Sequence, residues 1–441
     1  MQFAKTDSPE ILACPAGRTG HDWMPSGSSL ERDLLSRRRR AGEAQCRRDE
    51  KAGQMEITKQ LPAHGRGAGP PAAARIAPPG EGMRRITRKL RVGPVEMGGT
   101  APVGVQSMAR APWDDVDANL AEIALAAAGG CDIMRLAVPS AAAASFFGKI
   151  AARSPLPLVA DTHFDWRTTL AVIDEGAAKI RINPGNMDPD GLARVVEAAG
   201  ERGIPIRIGG NSGSLLHRRG GAAADVPALM AEEALAWAAR MEAMGFRDIV
   251  LSLKTHDAAG TVRANRLAAA ASDYPLHLGV TAAGGREDSL LKSAAAIGSL
   301  LLDGIGDTIR FSFTGDMPGE IEAGRNLLRS LGLRREGVSV VSCPACGRCR
   351  VDLPDLARRV KERLSRLSAD LEVAVMGCEV NGPGEAKAAD LGIASAGGVI
   401  HLFIAGAVVD RLPPDEAVER LAVEAEKLAE TRGKGRTNGE C

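Results

Sequence analysis

From residue 103 onward, short β-rich runs alternate with longer stretches rich in Ala, Leu and Glu. The runs fall at 103–107, 132–138, 157–163, 179–183, 205–209, 248–254, 276–281 and 307–312. Each is dominated by Val, Ile and Leu without strict alternation, the pattern of strands buried on both faces. Eight strand–helix units in about 230 residues predict a (β/α)8 TIM barrel. A doubly wound open sheet is the alternative, but it normally opens on a Gly-rich first turn, which this chain lacks.

The pattern changes after Gly337. A run at 338–341 predicts a strand, 353–367 an amphipathic helix, 371–376 a strand and 392–404 a hairpin. A last helix is predicted over 413–431, with Val418, Leu421, Ala425 and Leu428 on one face. Together these make a small C-terminal α/β domain. The first 82 residues fit neither pattern. They carry four consecutive arginines from Arg37 to Arg40 and a Pro/Gly/Ala-rich stretch at 67–79, with no sustained apolar periodicity. No apolar core marks a secretory signal, and Asp7, Glu10, Asp22, Glu31, Asp33 and Glu43 argue against a transit peptide. The expected domains are therefore 1–82, a disordered or non-native extension with the biological start at Met83; 83–337, the barrel; and 338–441.

Composition narrows the classes of function. A net charge of +1, one Tyr and eight Phe give little to bind or stack nucleic acid. No run reaches the roughly 20 apolar residues of a membrane helix, so a cytoplasmic protein is expected. Eight cysteines, clustered rather than scattered, point to metal or redox chemistry in a reducing compartment.

Candidate chemistry lies in two places. Gln106, Arg135, Asp161, His163, Arg181, Asn183, Arg207, Lys254 and Arg310 occupy the C-terminal halves of the predicted barrel strands, or follow them, where barrel active sites form. Arg135, Arg181, Arg207 and Lys254 would form a basic ring suited to a multiply phosphorylated small molecule. The glycine turns at 183–186 and 211–214 could add backbone N–H groups to that phosphate site. The second place is Cys343-Pro-Ala-Cys346-Gly-Arg-Cys349 with Gly377-Cys378-Glu-Val-Asn-Gly-Pro-Gly-Glu385. Soft thiolates suit an iron–sulfur cluster or zinc. Cys343, Cys346 and Cys378 with Glu385 would leave a [4Fe–4S] cluster one oxygen-bound iron. The alternative is a closed zinc site on Cys343, Cys346, Cys349 and Cys378. The rigid turn that returns Glu385 toward the cysteines favours the cluster.

Several strings together resemble one family, the 4-hydroxy-3-methylbut-2-enyl diphosphate synthases (IspG, also called GcpE). They are Gly104-Val-Gln-Ser-Met108, Ile180-Arg-Ile-Asn-Pro-Gly-Asn186, Ile206-Arg-Ile-Gly-Gly-Asn-Ser-Gly-Ser-Leu215, Gly304-Ile-Gly-Asp-Thr308 and both cysteine segments. The resemblance runs from about Met83 to about Asp415 and is to the bacterial two-domain form. It implies a TIM barrel followed by a [4Fe–4S] domain, in a head-to-tail homodimer. The implied reaction is reductive opening of 2-C-methyl-D-erythritol 2,4-cyclodiphosphate to the linear hydroxymethylbutenyl diphosphate, in non-mevalonate isoprenoid biosynthesis. Ferredoxin or flavodoxin would supply the electrons. By the same resemblance Cys343, Cys346 and Cys378 are the thiolate ligands and Glu385 the exchangeable one. Arg135, His163, Arg181, Arg207, Asn211 and Lys254 hold the diphosphate, and Asp161 orients His163.

One departure stands out. Where the family has Thr-Glu-Ala-Gly, this chain has Thr281-Ala-Ala-Gly284, so Ala282 replaces a glutamate thought to transfer a proton. Glu287 or Asp288 could substitute from the following loop. His256 and the additional Cys349 are smaller departures. Two alternatives are a diverged paralogue with altered activity and a non-catalytic, zinc-containing phospholigand-binding protein.

Overall fold

The computed structural model of the chain describes residues 84–162, 165–183, 187–211, 225–281, 284–334, 337–378 and 389–437. His163, Ala282 and Glu385 lie outside the described residues, as do Met83, the segment before it, and most of the two glycine turns.

The barrel strands are β3 (Gly104–Met108), β4 (Ile133–Ala137), β5 (Leu158–Asp161), β6 (Lys179–Ile182), β7 (Ile206–Asn211), β8 (Ile249–Lys254), β9 (His277–Leu278) and β10 (Thr308–Ile309). They pair in parallel in the order β8-β7-β6-β5-β4-β3-β10-β9, and a bridge from Leu251 to Leu276 closes the ring. The helices between and after them are α1 (Val116–Ala128), α2 (Ala141–Ala151), α3 (Trp166–Asp174), α4 (Pro189–Glu201), α5 (Val226–Ala243), α6 (Ala258–Ala271), α7 (Arg286–Leu302) and α8 (Met317–Ser330). Aspartates start most of them. Asp115, Asp165, Asp188, Asp225, Asp257 and Asp316 each accept a backbone N–H of the first turn, which satisfies an otherwise orphaned donor.

A hairpin that the sequence reading omitted precedes the barrel: β1 (Leu90–Val92) and β2 (Val95–Met97), turning at Gly93 with φ 56°. Its Leu90, Val92 and Met97 pack on Ile133, Val159 and Val250 from the early positions of three barrel strands, forming an apolar floor. Above that floor the inward positions become polar. Gln106, Lys179, Arg207 and His277 are each no more than 1% exposed.

A second sheet takes the order β11 (Val338–Ser342), β12 (Leu371–Met376), β13 (Leu391–Ala396), β14 (Val399–Ile404) and β15 (Ala407–Leu412). The first three strands run parallel and the last two antiparallel. Helices α9 (Leu353–Leu364) and α10 (Pro414–Thr437) contribute to the core against this sheet. On α9 the buried Leu353, Leu356, Val360 and Leu364 follow the helical period. The expected 353–367 helix ends three residues earlier, at a C-cap on Ser365. β15 was not foreseen: the two-residue turn before it uses Ala405 at φ 46° with Gly406 at φ 82°, and alanine is no signal for a left-handed turn.

Candidate functional site

A cavity of about 270 Å³ opens where the barrel strands end, lined by Arg135, Asp161, Arg181, Arg207, Lys254, Arg310 and Ser312 among others. The expected basic ring is therefore brought together, with Arg310 as a fifth cation. Asn211 ends β7 in register with Lys254 at the end of β8.

Asp161 is the carboxylate in the cavity wall. It accepts from Arg181 Nη1 at 3.1 Å and lies 3.6 Å from Arg135 Nε. Its geometry is thus that of a clamp on two arginines. Arg135 also donates to Met108 Sδ from Nη2 at 2.7 Å and from Nε at 3.2 Å. Among the described residues Arg207, 1% exposed, has no hydrogen-bond partner at Nε or Nη1, and Arg310 has none at Nε. Buried guanidinium nitrogens without acceptors are costly in an apolar setting and are unusual in a finished core. Here they border a cavity.

Electrostatics tell the same story. Burial, partly offset by Asp161, lowers Arg135 to about 10. Burial pushes Arg207 and Lys254 well below their ordinary values, with neighbouring cations adding to the effect. Such a cluster is stabilised by a bound polyanion.

Two glycines make room for these cations. A Cβ on Gly209 would stand 2.5 Å from Arg181 Nε, and one on Gly279 would stand 2.8 Å from Lys254 Nζ. Behind the cavity, sequence reading missed a supporting layer. Lys179 Nζ donates to Gln106 Oε1 at 3.5 Å, and His277 bridges Lys254 and Thr308. On α8, the buried Glu320 accepts from Ser107 Oγ at 2.9 Å, Arg110 Nη2 at 2.8 Å and the Phe313 amide at 2.9 Å, which fixes the segment after β10. The signal for Lys179 and His277 was a basic side chain inside a strand buried on both faces. Glu320 offered none, since its helix reads as amphipathic. Glu287 and Asp288 are exposed in the first turn of α7 and do not line the cavity.

The thiols gather at the ends of two adjacent parallel strands. Cys343 follows β11 directly and Cys378 comes two residues after β12, with Ser342 and Val375 in register between them. The Gly377 amide approaches Cys343 Sγ at 3.5 Å. Ala345, at φ 51°, turns the chain between Cys343 and Cys346. Cys346 is held below its ordinary value by hydrogen bonds from the backbone and side chain of Arg348, whose guanidinium also reaches Cys378. Cys349 is different: its thiol donates to the Val351 carbonyl at 3.2 Å, and its sulfur lies where a Gly377 side chain would begin. Among the described residues, no group of three or more His, Cys, Asp or Glu side chains is placed to hold a single metal ion.

Two larger grooves, of about 940 and 870 Å³, lie away from both clusters. In the larger of them Arg334 is paired with Asp132 and Arg432 with Asp390.

Comparison with known proteins covers nearly all of this architecture. Residues 87–325 match the GcpE TIM-barrel domain and residues 339–427 the GcpE protein C-terminal domain. A protein of Caldanaerobacter subterraneus subsp. tengcongensis is 47% identical over 351 residues, covering 78% of this chain and 98% of that protein. One from Salinispora arenicola is 47% identical over 81% of this chain and 93% of its own length. One from Geobacter sulfurreducens is 46% identical over 78% and 99%. All three are named 4-hydroxy-3-methylbut-2-en-1-yl diphosphate synthase (flavodoxin).

Proposed function

Because the chain belongs to the GcpE family, we propose that it catalyses the reaction of its relatives, forming 4-hydroxy-3-methylbut-2-en-1-yl diphosphate. The substrate is 2-C-methyl-D-erythritol 2,4-cyclodiphosphate, whose ring is opened by two electrons while one oxygen leaves as water. Flavodoxin, named for the relatives, is the proposed donor, with ferredoxin as the chemical equivalent. The observation that carries the reading is the cavity of five cations facing a single carboxylate in its wall, with buried arginine nitrogens left without acceptors.

Arg135, Arg181, Arg207 and Lys254, joined by Asn211 and His163, would bind the two phosphates. Bidentate guanidinium contacts would fix their orientation, and the ammonium would add a point charge. Asp161 would hold Arg135 and Arg181 in position, in addition to the orienting role toward His163 that the resemblance implies. Burial of the ring would exclude water from the reacting carbons.

The thiols fit an iron–sulfur cluster. Cys349 is committed to a carbonyl, which leaves Cys343, Cys346 and Cys378. The N–H donors near Cys343 Sγ and on Cys346 are the kind of contact that tunes a cluster. These three would hold a [4Fe–4S] cluster with Glu385 on the fourth iron. When bound, such a cluster supplies single electrons and a Lewis-acidic iron. A head-to-tail homodimer working in the cytoplasm completes the proposal.

Anaerobic purification followed by iron, sulfide and zinc analysis tests it. About four irons and four sulfides per chain are expected. Equimolar zinc without sulfide would contradict the cluster and favour the phospholigand-binding alternative. A paralogue would bind the cyclodiphosphate and leave it unchanged.

A further inference from the structure

The buried layer beneath the cavity contains one group that the functional reading leaves unused. His277, the first residue of β9, is fully buried, and its two ring nitrogens have different partners. Nε2 lies 3.3 Å from Lys254 Nζ, and Nδ1 lies 2.9 Å from Thr308 Oγ1. Lys254 borders the cavity, whereas His277 and Thr308 stand behind it. We propose that His277, braced by Thr308, is a positioning residue that holds the Lys254 ammonium toward the substrate's phosphates. This inference rests on the functional reading above.

The chemistry follows from donor counts. An ammonium has three N–H donors and no acceptor, so Nε2 must present a lone pair to it. The ring hydrogen is then on Nδ1 and is donated to the Thr308 hydroxyl oxygen. Thr308 therefore sets the tautomer, and the tautomer sets where the ammonium can point. Gly279 completes the seat, because any side chain there would collide with Nζ. The imidazole stays neutral in this setting: it is buried, and Lys254 on β8, Arg207 on β7, Lys179 on β6 and Arg135 on β4 all oppose a positive charge. A neutral histidine can orient a lysine without competing for the anion. One of three donors is spent on the imidazole, and two remain for phosphate oxygens.

The test is a double-mutant cycle on cluster-loaded enzyme, with cyclodiphosphate affinity read by calorimetry and KM and kcat by turnover. His277→Leu should weaken binding by about tenfold or more, the scale of one hydrogen bond to a charged group. It should raise KM more than it lowers kcat. Combined with Lys254→Ala it should add nothing further, since both changes remove one device. Losses that multiply would overturn the proposal. His277→Gln, which keeps an acceptor, should recover most of the loss. If His277→Leu fails to fold, Thr308→Val tests the same linkage: its weakening must vanish in the Lys254→Ala background, and persistence there overturns the idea.

A second readout separates this inference from the functional one. Nitrogen-15 spectra of the histidines in ligand-free protein should show His277 as the neutral Nδ1–H tautomer at pH 8 and still at pH 6.5, where an ordinary imidazole is half protonated. An Nε2–H tautomer overturns the positioning role whatever the substrate proves to be. A wild-type protein that ignores the cyclodiphosphate sinks the functional reading and leaves the tautomer result standing.

Discussion

Lys179, Arg207, Lys254 and His277 share one interior, and all four are pushed below their ordinary pKa values, first by burial and then by neighbouring cations. Two consequences can be measured. A bound diphosphate opposes this lowering and raises these values, so any change of protonation on binding should be uptake. Calorimetry in two buffers of different ionisation enthalpy would show uptake; release would contradict the charge assignment. The second concerns acid stability. Below about pH 6.5 the unfolded chain protonates His277 while the folded chain does not, so the unfolded state binds more protons and stability is lost as the pH is lowered. That slope approaches about 1.4 kcal/mol per pH unit from this residue, and His277→Gln should remove it in denaturation series at pH 7, 6 and 5. At the thiols, Cys349→Ser should leave iron content unchanged and Cys346→Ser should abolish it. Ala282→Glu should raise turnover by about 10²–10⁴-fold if the missing proton-transfer group limits the rate. At this scale the sequence was most readable where charge met a strand end. Arg135, Asp161, Arg181 and Lys254 could be placed that way, because strand ends in a barrel converge, whereas Arg207, the second residue of β7, borders the cavity from the early part of its strand. The partnership of Asp161 with Arg181, and of His277 with Lys254, required three dimensions, since each joins neighbouring strands through register.

Among the elements, all eight barrel strands were legible, because strands buried on both faces leave near-continuous apolar runs. The ends were not. The predicted run 276–281 contains a strand of only two residues, and Gly279 follows it, where a side chain would meet Lys254 Nζ and the Arg310 carbonyl. The β1–β2 hairpin was missed for a different reason: three-residue strands carry too little periodicity to register. It matters for stability rather than chemistry. Met97 is fully buried on the barrel floor, so Met97→Ala should cost about 2–5 kcal/mol by leaving a cavity. Denaturant titration should show that loss while KM for the cyclodiphosphate stays put; a changed KM would mean the floor and the mouth are coupled.

For the whole molecule, the resemblance read from six strings and the matches over residues 87–325 and 339–427 agree. Among the described residues no helix is long and apolar enough to cross a membrane. The family match begins at residue 87, and a relative covered to 98% of its length aligns over 351 residues of the chain, so a protein beginning at Met83 should fold, load its cluster and turn over like the full chain. Loss of activity on that truncation would assign residues 1–82 a role that no pattern in them announces. On the proposed function, the cationic barrel mouth and the cysteine cluster serve one reductive ring opening. Cluster-loaded protein, mixed anaerobically with reduced flavodoxin and 2-C-methyl-D-erythritol 2,4-cyclodiphosphate, tests this by mass spectrometry of the products. Hydroxymethylbutenyl diphosphate should form over many turnovers; an intact cluster, bound substrate and no product would rule that function out.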